Sequence, residues 1–149
     1  MRTFDDNLYI QKVNNFNTAI ADTTYYPASA SFIDVSRFER FAFLILAGTL
    51  DSALTFTVRQ DTSATATAGV KAITDAAVVI GTDDDNKWAS IEVQCNKLDI
   101  ANGYRYVSLY ATGGAGSNDY AAIVFIGHRA GEAPVVQSAS YLTPVVVAG

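Results

Sequence analysis

Few side chains in this chain are of a type that does chemistry, and they are scattered. The one histidine, His128, closes an apolar run in Phe125-Ile126-Gly127-His128-Arg129. The one cysteine, Cys95, continues the apolar side of an alternating segment after Ile91 and Val93. A nucleophile needs a base and an orienting group, and a structural zinc ion needs about four nitrogen or sulfur ligands; one His and one Cys supply neither set. His128 is therefore expected at a surface or interface, and Cys95 as a buried structural thiol. Asp83-Asp84-Asp85 carries oxygen ligands for calcium but lacks the Asp-x-Asp-x-Asp-Gly order with a distant Glu, so it reads as a solvated turn. Gly113-Gly114-Ala115-Gly116 has the composition of a phosphate cradle without the closing Lys and Ser or Thr, and it leads into another strand; it reads as a hairpin turn. Tyr104, Tyr106 and Tyr110 share one strand parity and, with Trp88, form a candidate stacking set for sugar rings. Tyrosines at a core edge or interface are the competing reading. No catalytic residue, cofactor or metal ligand is expected.

The elements that would hold these residues are strands. Phe41, Phe43, Ile45 and Ala47 alternate along one run and Leu54, Phe56 and Val58 along another, with Gly48-Thr49-Leu50-Asp51 between them, and the stretch from Phe38 to Gln60 reads as a β-hairpin. The second run carries Thr55, Thr57 and Arg59 on its reverse side, whereas the first carries Ala42, Leu44 and Leu46. A strand apolar on both faces belongs under a further layer or against another subunit. Leu44 and Leu46 are thus the first candidate contact residues.

Residues 1–27 mix Asn, Asp and Thr with isolated apolar positions and read as an extended N-terminal arm with one or two short strands. Ala28 to Val35 is expected to form a first core strand, and the small-residue tract from Asp61 to Gly69 an exposed, mobile loop. Val70 to Ile73 and Ala77 to Ile80 read as two short apolar pieces. Trp88 to Leu98 is a half-buried strand, Asn102-Gly103 a turn, and Tyr104 to Thr112 and Tyr120 to Gly127 a second hairpin, its last strand apolar on both parities. About seven strands with no amphipathic helix predict an all-β fold. The expected architecture is a single-domain antiparallel β-sandwich, Ig-like or jelly-roll, over residues 28–134, followed by a C-terminal extended tail over 135–149. That tail holds Tyr141, Leu142, Val145, Val146 and Val147, apolar with no following element to pack on.

At 149 residues the chain can bury about 68–70% of its unfolded surface without staples. Charged residues are only 17% of it and hydrophobic ones 50%, against about 25% charged in ordinary soluble domains, a balance that suits faces resting on neighbours. A net charge of −5 with cations scattered singly argues against nucleic acid, and the longest apolar run, Phe41 to Ala47, is too short to span a membrane as a helix. A start without an apolar core and a lone cysteine predict synthesis in a cytoplasm.

The order Asp34-Val35-Ser36-Arg37-Phe38, the doubly apolar strand ending at Gly48, Thr55-Phe56-Thr57-Val58-Arg59-Gln60-Asp61, Gly103-Tyr104-Arg105-Tyr106-Val107 and the segment ending Gly127-His128-Arg129 resembles accessory head proteins of tailed bacteriophages. These are the small β-sandwich decoration or cement proteins. The resemblance implies a non-enzymatic virion protein that binds the major capsid protein lattice at the capsid surface, self-associating as a homotrimer, with no nucleic acid or membrane partner. Leu44, Leu46, Tyr141, Leu142, Val145, Val146 and Val147 would be its contacts. The alternatives are a carbohydrate- or receptor-binding module built on Trp88, Tyr104, Tyr106 and Tyr110, and a phage tail or head-tail connector component.

Overall fold

A computed structural model describes residues 7–114 and 118–128. Within them the chain is all-β: β1 (Leu8–Asn14), β2 (Thr24–Tyr26), β3 (Ile33–Asp34), β4 (Arg40–Ala47), β5 (Leu54–Asp61), β6 (Lys71–Ile80), β7 (Trp88–Gln94), β8 (Tyr106–Thr112) and β9 (Ala121–His128). Every pairing is antiparallel. One sheet has the order β1-β9-β4-β7; the other has the order β2-β8-β5-β6, with β3 beside β2 on the same edge of β8. The two sheets pack as a β-sandwich.

Alternation fills the space between the sheets. Phe41, Phe43 and Ile45 of β4, Ile123 and Phe125 of β9, and Leu54, Phe56 and Val58 of β5 are fully or almost fully buried. Phe125 lies at the centre of an aromatic cluster, with ring centroids 5.6 Å from Phe41 and 5.3 Å from Phe43. Beside it the chain has Gly127, where an added Cβ would come within 2.7 Å of the Phe38 ring, so a residue without a side chain is required for Phe38 to close that end of the core.

Neither predicted hairpin forms. β4 pairs with β7 and β9 while β5 pairs with β6 and β8, so Gly48 to Ala53 carries the chain from one sheet to the other. The reason is that the connection is not free to turn tightly: Leu50 is buried, its N–H donates to Asp85 at 2.9 Å, and the Asp51 and Ser52 N–H groups both donate to the Asp119 carboxylate at 2.8 Å. β8 and β9 likewise belong to different sheets. Gly113, at a φ of 97°, begins that crossover, where a Cβ would meet the Ala53 carbonyl oxygen at 2.5 Å.

Three further expectations change. The strand expected over Ala28 to Val35 shrinks to Ile33–Asp34, because Phe32 bonds to the Ala64 carbonyl and Val35 to the Arg105 carbonyl outside any ladder. The pieces on either side of Thr74 to Ala76 are one strand, β6, with Asp75 at a φ of 61° where its register against β5 shifts. The tract after Asp61 is tethered rather than loose: the buried Asp61 carboxylate accepts from the Thr62 and Thr67 N–H groups, at 2.6 and 2.7 Å, and from the Thr67 hydroxyl at 2.8 Å. In the N-terminal region, β1 and β2 match the one or two short strands expected, and both pair into the sheets.

Candidate interaction face

The register of the four-stranded sheet sets which side chains share its outer face. Trp88, Leu46 and Ala122 form one row across β7, β4 and β9; Ser90, Leu44, Val124 and Lys12 form the next; then Glu92, Ala42, Ile126 and Ile10; and finally Gln94, Arg40, His128 and Leu8. On β4 and β9 their neighbours in sequence are buried core residues, so strict alternation directs these side chains outward, and the register places those of β7 and β1 on the same face. Leu44 is half-buried, Leu46 is 42% exposed and Trp88 is 69% exposed. The described strands form two layers only, and none of them covers this face.

The chemistry of the rows is ordered. Ala42, Leu44 and Leu46 lie beside Ile126, Val124 and Ala122, with Ile10 and Trp88 extending the apolar area to either side. At strand spacings of about 4.8 Å and residue rises of about 3.4 Å, these rows cover about 300 Å², a size at which apolar patches on monomers are often contact sites. Polar groups sit at its margin: Lys12 on one side, Ser90 and Glu92 on the other, and the row of Gln94, Arg40 and His128 at one end. Arg40 is anchored there, its Nε donating to His128 Nδ1 at 3.1 Å and its Nη1 lying 3.3 Å from Glu92. An apolar centre inside a polar rim is the anatomy of a protein contact surface.

The outer face of the five-stranded sheet is different. It presents Thr55, Thr57 and Arg59 from β5, Tyr106 and Tyr110 from β8, and the exposed Val79 from β6, whereas Ser108 between the two tyrosines is buried and donates to the Pro27 carbonyl at 2.6 Å. The Arg59 guanidinium stacks 3.8 Å from the centre of the Tyr110 ring, Tyr25 packs 4.7 Å from the same ring, and Lys71 Nζ lies 4.1 Å from the Tyr104 ring centre. The candidate stacking set is thereby divided. Trp88 is on the outer face of one sheet, Tyr106 and Tyr110 are on the outer face of the other, and Tyr104 and Tyr110 already carry cations of this chain.

The remaining sequence candidates act locally. Asp84 accepts from the Gly81 N–H and Lys87 Nζ, at 2.9 and 2.8 Å, which hold its carboxyl below the usual range, whereas Asp85 accepts from Leu50. The acidic triplet is therefore split between two turns. Among the described residues no group of three His, Cys, Asp or Glu is placed to hold a metal ion, and no helix is long and apolar enough to cross a membrane. Cys95 is half-buried, and burial pushes its thiol up to about 11. Tyr141, Leu142, Val145, Val146 and Val147 lie outside the described residues.

Sequence reasoning chose Leu44 and Leu46 from this face and left out Ala122, Val124, Ile126 and Ile10. The signal was present in β9, whose run from Ala121 to Ile126 is apolar on both parities like β4; what sequence lacked was the pairing that sets the two strands side by side. No family model, curated protein sequence or solved structure matches the chain.

Proposed function

We propose that this chain is a structural virion protein: a decoration or cement protein that binds the major capsid protein lattice of a tailed phage, self-associates as a homotrimer and stabilises the head without catalysing a reaction. The observation that carries the reading is the apolar outer face of the four-stranded sheet, where Leu44, Leu46, Val124, Ile126 and Trp88 lie side by side within a polar margin. Such a face is stabilised by losing contact with water against another polypeptide. Modest contacts repeated over a lattice add by multivalency, so a small domain can brace a shell that no single contact would hold. The likeness of the strand and turn phrasing to accessory head proteins supplies the identity of the lattice.

The test is to mix the purified chain with capsids of its own phage assembled without it, then sediment and image the particles. Regularly spaced added density, together with self-association of the free chain, is the expected result. A monodisperse monomer that leaves the capsids bare would overturn the proposal.

A further inference from the structure

A cleft of about 730 Å³ opens at one end of the sandwich. Its floor is the buried Val35, Phe38 and Leu98 with the half-buried Cys95, and Ile100, 63% exposed, stands on its wall. Two short 3₁₀ turns, Cys95–Lys97 and Ile100–Asn102, hold it open where β7 gives way to β8. They are fixed by the Cys95 N–H donating to the Glu39 carbonyl at 2.8 Å and the Asp99 N–H donating to Gln60 at 2.9 Å. The size and the mostly apolar floor are those of a binding site.

The chain itself leads to the mouth of this cleft. β9 ends at His128, whose carbonyl accepts from the Glu39 N–H at 3.2 Å and whose ring accepts from Arg40 Nε; Glu39 and Arg40 both line the cleft. From this point the sequence continues for 21 residues. From Ala133 to Gly149 it carries no charged side chain, and it includes Tyr141, Leu142, Val145, Val146 and Val147. A segment tethered at that rim would meet the apolar floor at an effective concentration on the order of millimolar, so weak intrinsic affinity would be enough to seat it.

We propose that the cleft between Phe38, Cys95 and Ile100 is the seat of this chain's own C-terminal segment, filled by the apolar residues between Tyr141 and Val147. Seating would cover the floor and join β9's exit to the turns after β7.

Cys95, the one cysteine of the chain, reports on the floor. The experiment measures its alkylation by iodoacetamide at about pH 9 in the full chain and in a full-length variant carrying Tyr141→Ser, Leu142→Ser and Val146→Ser, substitutions outside the described sandwich. The expected result is alkylation about tenfold faster in the variant, with the rate brought back down by a millimolar synthetic peptide of residues 135–149. Equal rates in the two chains would overturn the proposal. So would an acceleration that the peptide fails to reverse, since it would reflect general loosening. A dilution series of the unsubstituted chain reads whose segment is seated: a constant rate supports the protomer's own, and a rate that rises on dilution overturns that in favour of a neighbour's.

Discussion

The two outer faces of this sandwich are built on the same strand geometry and differ in what they do with it. On the five-stranded sheet, β5 alternates buried Leu54, Phe56 and Val58 with Thr55, Thr57 and Arg59, and the outward Tyr110 ring of β8 is covered by Arg59 and Tyr25 of the same chain. On the four-stranded sheet, β4 and β9 are apolar on both sides, and Leu46 and Trp88 stand exposed next to one another. On the first face the Tyr110 ring is capped within the protomer, while Val79 of β6 stands 64% exposed beside Thr55. The second leaves an apolar row with Leu46 and Trp88 in contact with water.

The sharpest way to separate inward from outward roles is within one strand. Phe125 points inward against Phe41 and Phe43, and Phe125→Ala is expected to cost about 3–5 kcal/mol in urea unfolding. The adjacent Val124 points outward beside Lys12, and Val124→Gln is expected to change unfolding by no more than about 1 kcal/mol. Comparable losses from both would break the comparison.

Asp61 sharpens it on the other sheet, where β5 ends. Burial alone would raise its pKa, but the Thr67 and Thr62 hydrogen bonds outweigh burial and hold the carboxyl below its ordinary value. A lowered folded-state pKa gives stability that is full above the unfolded value, about 3.9, and is lost as pH falls through the folded one. Asp61→Asn is therefore expected to cost about 1–3 kcal/mol at neutral pH by weakening the carboxylate's hold on the loop. The gap between the two proteins should then close below about pH 4. A gap that persists in acid would show that charge at Asp61 is not what holds the loop.

The smallest effect belongs to the ring cover. Arg59→Met removes a cation from the Tyr110 ring while keeping an apolar stem, and is expected to cost about 0.5–1 kcal/mol in unfolding with no change in self-association.

Much of this arrangement is legible in the sequence, and the failures share a cause. The inward and outward parity of β4, β5, β7, β8 and β9 follows from period-two alternation, which is local. The sheet to which each strand belongs does not. Gly48 to Asp51 has the composition of a tight turn, but the acceptors that pull it across the core are Asp85 and Asp119, far along the chain. For the same reason Trp88 was grouped with the tyrosines by residue type, whereas pairing with Leu46 sets it on the opposite face. The small residues after Asp61 suggest an untethered loop, because nothing local marks one buried carboxylate as its anchor.

The most direct measurement compares two double variants, Leu44→Gln with Val124→Gln on one outer face and Thr55→Gln with Thr57→Gln on the other, in sedimentation of the free chain and of chain mixed with capsids. Both are expected to remain folded, and only the first to lose self-association and particle binding, by about a hundredfold or more in affinity. Equal binding by the two variants, or loss confined to the threonine pair, would contradict the account.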